Sequence, residues 1–202
     1  GSKGKVTPAF YTKGLKEQDK GDETTLGVTP KLMEYWKRYS PQLFVTASHA
    51  TQFNLEMPFG KGLIVSGNNR FYALDKKQFR EFTTFLRGVL FNGKEDDLLS
   101  FLNRIKAPVI ETRPVPAVWV AAGNCLIGDA KKTKNSMAVT ALSRYGFNQL
   151  VGYTVPSWYG KGGWGTLGLL FSNHDASNLA EAWYLNNQFI LDETMTRFPK
   201  LM

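Results

Sequence analysis

Apolar and polar positions follow two different periods along this chain, and the two periods alternate. "LFVTAS" (43–48), "AVWVAAG" (117–123) and "QLVGYTV" (149–155) are short runs rich in apolar and β-branched residues. Runs of that kind read as strands buried on both faces. "LIVS" and "RFYAL" read as a hairpin, because Gly67, Asn68 and Asn69 between them tolerate positive φ. Helical spacing takes over at "DKKQFREFTTFLRGVLFNG", where Phe79, Phe82, Phe85, Leu86, Val89 and Leu90 share one face. Asp75 is positioned to cap that helix and Gly93 to end it. A shorter helix follows in "KEDDLLSFLNRI", and another in "SMAVTALSRYG", with Ser136 at its start and Gly146 at its end. "ASNLAEAWYLNNQFILDETMTRF" is a long final helix, with Leu179, Trp183, Ile190, Leu191 and Met195 expected on or near one face.

The remaining segments are less regular. Residues 1–28 are polar and read as an arm or loop. Thr29-Pro30 opens a helix that Ser40-Pro41 stops. "SWYGKGGWG" reads as a Gly-rich aromatic loop, and "TLGLLFSN" as either a strand or the start of a helix. Strands alternating with helices predict an α/β fold, a three-layer sandwich with a mainly parallel sheet flanked by helices. The expected organisation is the arm at 1–28 and one α/β domain over 29–202.

Composition narrows the function classes. At 202 residues with 43% hydrophobic content, one domain with a real core is expected. No apolar run reaches the roughly 20 residues a membrane helix needs, so no membrane span is expected. The opening Gly1-Ser2 reads as an expression scar, so a native targeting signal need not be present. The net charge is +8, but lysines and arginines are scattered and "DAKKTKNS" is their densest cluster. That distribution reads as solvated surface rather than as a nucleic-acid stripe.

The candidate chemistry rests on few residues. There is one cysteine, Cys125, and there are two histidines, His49 and His174. This set fits no standard zinc spacing, so no metal is expected. "GKGGWG" lacks the Lys-Ser/Thr of a phosphate loop, and no Gly-x-Ser-x-Gly elbow exists. No cofactor is therefore expected. In an open α/β sheet, functional groups gather at the carboxyl ends of strands. His49 follows "LFVTAS" and Cys125 follows "AVWVAAGN". If these strands are parallel neighbours, an imidazole and a thiol leave the same sheet edge, where the imidazole can generate the nucleophilic thiolate. The plainer reading is a buried filler cysteine and a structural histidine. His174, in "SNHDAS", reads as part of a loop leading into the last helix.

The order of these motifs resembles the caspase-fold cysteine peptidases, and within them the gingipain-like branch. The matching features are an apolar strand ending in His, an apolar strand ending in Cys, "CLIGD" at 125–129, the helix "SMAVTAL" and the strand "LVGYTVPSW". The resemblance covers roughly residues 40–195. It implies a Cys125–His49 dyad hydrolysing peptide bonds, with the backbone amides of Cys125 and Ala50 holding the oxyanion. Ala50 stands where the group usually has Gly. The resemblance also implies that Asn124, Asp129, Val155, Ser157 and Trp158 line the substrate, with "VPSWYG" pairing with it as an added strand. The partner it implies is a protein or peptide.

The stretch between His49 and Cys125 is longer than usual for the group, so 66–105 is expected to be an insertion. Two strands normally precede the histidine strand there, and residues 1–40 contain no apolar strand to supply them. They are expected from a longer precursor or from a second chain processed from it. Members are mostly bacterial and exported, which implies a secreted or cell-envelope location. Two other functions stay open: a catalytically inactive module on the same fold, and a basic aromatic surface that binds glycan or nucleic acid.

Overall fold

A computed structural model of the chain describes residues 42–57, 62–92, 97–112, 115–130, 134–157, 161–171 and 178–199. The expected arm at 1–28, the helix expected over 29–40, Trp158 and His174 lie outside them.

The architecture is mixed α/β. Strands β1 (Leu43–Thr46), β6 (Ala117–Ala121) and β7 (Phe147–Val151) form a parallel sheet with β6 in the middle. The three segments expected to share one parallel sheet do so. Side chains of β1 and β6 alternate between two cores, as the period of two requires, and a bulge after Phe147 shifts that alternation by one residue in β7. Phe44, Trp119, Ala121 and Phe147 face one core, while Val45, Val118, Val120 and Val151 face the other. Each strand contributes one ring to an aromatic trio, with Trp119 5.5 Å from Phe44 and 5.6 Å from Phe147 between centroids.

A second sheet lies against the aromatic face. It is antiparallel, in the order β2 (Ala50–Thr51), β3 (Asn54–Glu56), β4 (Gly62–Gly67) and β5 (Arg70–Asp75). The β4–β5 hairpin turns through Asn68 and Asn69 at φ 46° and 58°, the left-handed pair that a tight two-residue turn needs. Strands β2 and β3 are so short that the sequence pattern does not announce them. The sheet is apolar on both sides. Leu55, Ile64, Phe71 and Ala73 meet the parallel sheet. Leu63, Val65, Tyr72 and Leu74 meet α1 (Lys76–Asn92) and α2 (Asp97–Arg104) through Phe82, Leu98, Phe101 and Leu102. Asp75 and Gln78 cap α1 reciprocally. The Gln78 N–H donates to the Asp75 carboxylate at 2.8 Å, and the Gln78 side chain accepts from the Asp75 N–H at 3.1 Å.

The described residues within 66–105 pack into both of these cores, so this stretch forms a layer beside the parallel sheet. On one side of the parallel sheet lie helices α4 (Lys161–Phe171) and α5 (Leu179–Arg197). On the other side the antiparallel sheet does most of the covering, and α3 (Met137–Arg144) packs against β7, β4 and β5. Helix α3 starts at Ser136, whose hydroxyl accepts from Val139 N–H at 3.1 Å, and gives way to Gly146 at φ 71°.

Two expectations about the C-terminal third are corrected. The segment expected as a loop ending at Gly165 is helical from Lys161 onward. Its glycines are weak helix formers, but they permit contacts that a side chain would block. A Cβ on Gly163 would collide with the backbone of Ala122, and one on Gly165 with the side chain of Asn186. Helix α5 does not bury the apolar face expected of it. Leu179, Ala182 and Asn186 point inward, whereas Trp183, Leu191 and Met195 are exposed. Ala182 and Asn186 face α4, where Ala182 packs on Leu169 and Asn186 on Gly165.

Candidate active site

The site begins with two strand ends. Strands β1 and β6 are parallel and adjacent, with Thr46 opposite Ala121 at their last paired position. Both chains leave the sheet at the same edge. The strands end earlier than the sequence pattern suggests. His49 lies in the loop after β1, and Cys125 lies in the loop after β6.

Buried and partly buried hydrogen bonds tie these loops together. Gly123 N–H donates to the Thr46 carbonyl at 3.3 Å. The side-chain amide of Asn124 donates to the Ser48 carbonyl at 2.8 Å and to the Ser48 hydroxyl at 3.1 Å. Its carbonyl oxygen accepts from the Thr46 hydroxyl at 2.5 Å. That hydroxyl also accepts from the indole N–H of Trp119 at 2.9 Å. The two chains are thus clamped one residue before His49 and one residue before Cys125.

The histidine loop is also held from the other side. Ser48 hydroxyl donates to the Glu56 carbonyl at 2.6 Å, and Glu56 N–H donates to the His49 carbonyl at 2.9 Å. His49 itself is exposed. In an antiparallel ladder, hydrogen-bonded and non-hydrogen-bonded pairs alternate. Because the bond falls at His49–Glu56, the Ala50–Leu55 pair is of the non-bonded kind, and the Ala50 N–H points away from β3. Ala50 does not adopt positive φ, so alanine meets no conformational penalty at this position.

Cys125 is half-buried. Its thiol donates to the Ser157 carbonyl at 3.1 Å, and Ser157 N–H donates back to Sγ at 3.3 Å. The Ser157 hydroxyl lies 3.9 Å from the sulfur. The segment after β7 runs antiparallel to the cysteine loop, with Leu126 N–H bonded to the Val155 carbonyl and Gly128 N–H to the Tyr153 carbonyl at 2.9 Å. A Cβ on Gly128 would run into the backbone of Gly152, so the two chains can approach this closely only as glycines. Leu126, immediately after the thiol, adopts φ 58°. For a branched side chain, that conformation costs on the order of 1–3 kcal/mol and is retained where surrounding structure enforces it.

The sequence-derived candidates occupy distinct positions. Ser157 touches the thiol. Val155 is exposed beside it, at 60%. Asp129 is half-buried, with its N–H bonded to the Leu126 carbonyl at 3.0 Å. Asn124 is fully buried with its amide committed to Thr46 and Ser48, so it supports the loops from beneath. Thr46, Ser48 and Leu126 were not singled out by sequence reasoning. The hydroxyls of "TASH" were a visible signal, but a hydroxyl at a strand end has no assigned partner until the neighbouring strand is known.

A cavity of about 440 Å³ lined by Arg70, Val109, Ile110, Glu111, Thr112, Arg144 and Tyr145 lies elsewhere. It sits by the amino end of β6, where Ala117 N–H bonds the Gly146 carbonyl, and hence at the sheet edge opposite the thiol. The geometry of strand ends is a better guide to chemistry than this hollow. Among the described residues, no group of three His, Cys, Asp or Glu side chains is placed to hold a metal ion, and no helix is long and apolar enough to cross a membrane. No protein-family model, no curated protein and no solved structure matches the chain.

Proposed function

We propose that the chain is a cysteine peptidase of the caspase-like, gingipain-like kind, with Cys125 as nucleophile and His49 as general acid and base. One observation carries the reading. The loops leaving parallel neighbours β1 and β6 are bonded to each other through Asn124 and Ser48, one residue ahead of each reacting side chain.

The chemistry runs in two halves. The Cys125 thiolate attacks the carbonyl carbon of the scissile peptide, and the resulting oxyanion takes hydrogen bonds from the N–H groups of Ala50 and Cys125. Imidazolium of His49 protonates the departing amine as the C–N bond breaks, leaving a thioester on Cys125. A water molecule, deprotonated by His49, then attacks the thioester, and the carboxylic acid leaves as the thiol is restored. Asp129 is the nearest acidic residue past the nucleophile and the candidate for reading a basic side chain in the substrate. The exposed edge at Val155 is the candidate for pairing with substrate backbone.

The hydrogen bonds between Cys125 and Ser157 favour a second reading, a non-catalytic module in which the 153–157 segment seals a structural thiol. Iodoacetamide separates the two. The peptidase reading expects fast alkylation of Cys125 at neutral pH that slows in His49→Ala, together with cleavage of a mixed peptide library that Cys125→Ala abolishes. Slow alkylation insensitive to His49, with no cleavage, leaves the non-catalytic module.

A further inference from the structure

We infer that Thr46 and Asn124, with Trp119 behind them, are positioning residues: a buried, one-directional chain of hydrogen bonds that fixes the loop of His49 against the loop of Cys125. This rests on the dyad reading above and concerns residues that touch neither substrate nor the reacting atoms.

The direction of the chain follows from donor chemistry. An indole N–H can only donate, so the Thr46 hydroxyl must accept from Trp119. The single proton of that hydroxyl is then committed to the Asn124 carbonyl oxygen. This sets the amide's orientation, and its NH2 faces the Ser48 carbonyl and hydroxyl. The Ser48 hydroxyl, accepting from Asn124, passes its own proton to the Glu56 carbonyl. The chain therefore runs Trp119, Thr46, Asn124, Ser48, Glu56, from the parallel sheet to the antiparallel one, and only one arrangement satisfies every member.

Burial gives the arrangement its weight. Asn124 is 0% exposed, Trp119 1% and Thr46 7%. In such surroundings a satisfied polar network rigidifies its members, while an unsatisfied one is costly. Stability alone does not call for it, because apolar groups of matching shape can replace a buried hydrogen-bonded pair with little loss. What apolar groups cannot supply is a defined distance between two loops. A dyad depends on that distance, since a misplacement of about 1 Å can cost on the order of 100-fold in rate.

The test uses the full chain and the alkylation of Cys125 by iodoacetamide across pH 5–9, with thermal melting alongside. Thr46→Val keeps the shape and the strand preference and removes the hydroxyl; Thr46→Ser restores the hydroxyl. The expected result is a neutral-pH alkylation rate that falls about tenfold in Thr46→Val, a displaced pH profile, and recovery to near the wild-type rate in Thr46→Ser. Thr46→Val that melts cooperatively and keeps the wild-type profile overturns the inference. If Thr46→Val does not fold, Ser48→Ala, at the half-buried end of the chain, takes its place. A rate reduced at least about twofold, with the melting midpoint retained, supports the inference, and an unchanged rate overturns it. Failure of the dyad reading looks different: wild-type alkylation is then already indifferent to His49→Ala, which removes the function the chain would serve.

Discussion

Gly163, in the first turn of helix α4, lies against the backbone of Ala122 so closely that no side chain fits between them. Ala122 follows directly on strand β6 and precedes the thiol by three residues. This contact joins the helical layer to the loop that carries Cys125.

Gly163→Ala should therefore be costly. The added methyl meets main-chain atoms, which no rotamer change can move aside, and overpacking of that kind costs about 3 kcal/mol. Chemical denaturation should show the loss. Stability within about 0.5 kcal/mol of wild type would mean that α4 does not sit this close.

Gly168 is the control on the same helix. Nothing lies within 4 Å of a Cβ built there. Gly168→Ala should stabilise the chain by about 0.5–1 kcal/mol, because alanine loses less conformational freedom in a helix. The corresponding rise in melting midpoint is about 1–4 °C. A fall would contradict the open surroundings of this position.

The two reacting residues should separate activity from stability. His49 is exposed, so His49→Ala should change stability by no more than about 0.5 kcal/mol while abolishing turnover. Cys125→Ala gives up the contacts with Ser157 and should cost about 1 kcal/mol. Peptide cleavage that survives in either variant defeats the dyad.

Tyr145 offers a prediction in pH. Burial, the largest influence, raises its phenol above the ordinary value, outweighing the opposing hydrogen bond from Phe71 N–H. The phenol donates to the Ile110 carbonyl at 2.7 Å and accepts from Phe71 at 2.9 Å. The unfolded chain loses this proton near pH 10 and the folded chain at higher pH. The unfolded state then holds fewer protons, so the tyrosine's contribution is fully present below about pH 10 and declines as pH rises toward the folded value. Tyr145→Phe should lower stability at pH 7 by about 1–3 kcal/mol and flatten the decline above pH 10. Equal alkaline slopes in the two proteins would show that this phenol does not set the alkaline limit.

Some of this protein was settled by local sequence. Asn68 and Asn69 turn the β4–β5 hairpin because they accept left-handed backbone at little cost. Asp75 with Gln78, and Ser136, start helices because their side chains satisfy amides at the first turn. The strands around Phe44 and Trp119 declared themselves by apolar runs that meet a core on each side, whereas β7, read as equally buried, lies at the sheet edge and exposes Asn148 and Gln149. These features depend on residues a few positions apart, and a linear reading finds them. Other features were decided only when distant segments met. The glycines at 163 and 165 argued for a loop, yet α4 is helical, because close packing on Ala122 and Asn186 outweighs weak helix propensity. The buried face of α5 runs through Leu179, Ala182 and Asn186, although larger apolar residues lie elsewhere on the helix, because the space beside α4 admits little else. Half of the second sheet, strands β2 and β3, was hidden because runs of two and three residues are too short for any period to register. Asn124 reads in sequence as a polar residue beside a nucleophile. Only the register of β1 against β6 brings Thr46 and Ser48 to its amide, since a side chain's partners are fixed by which strand lies next to it.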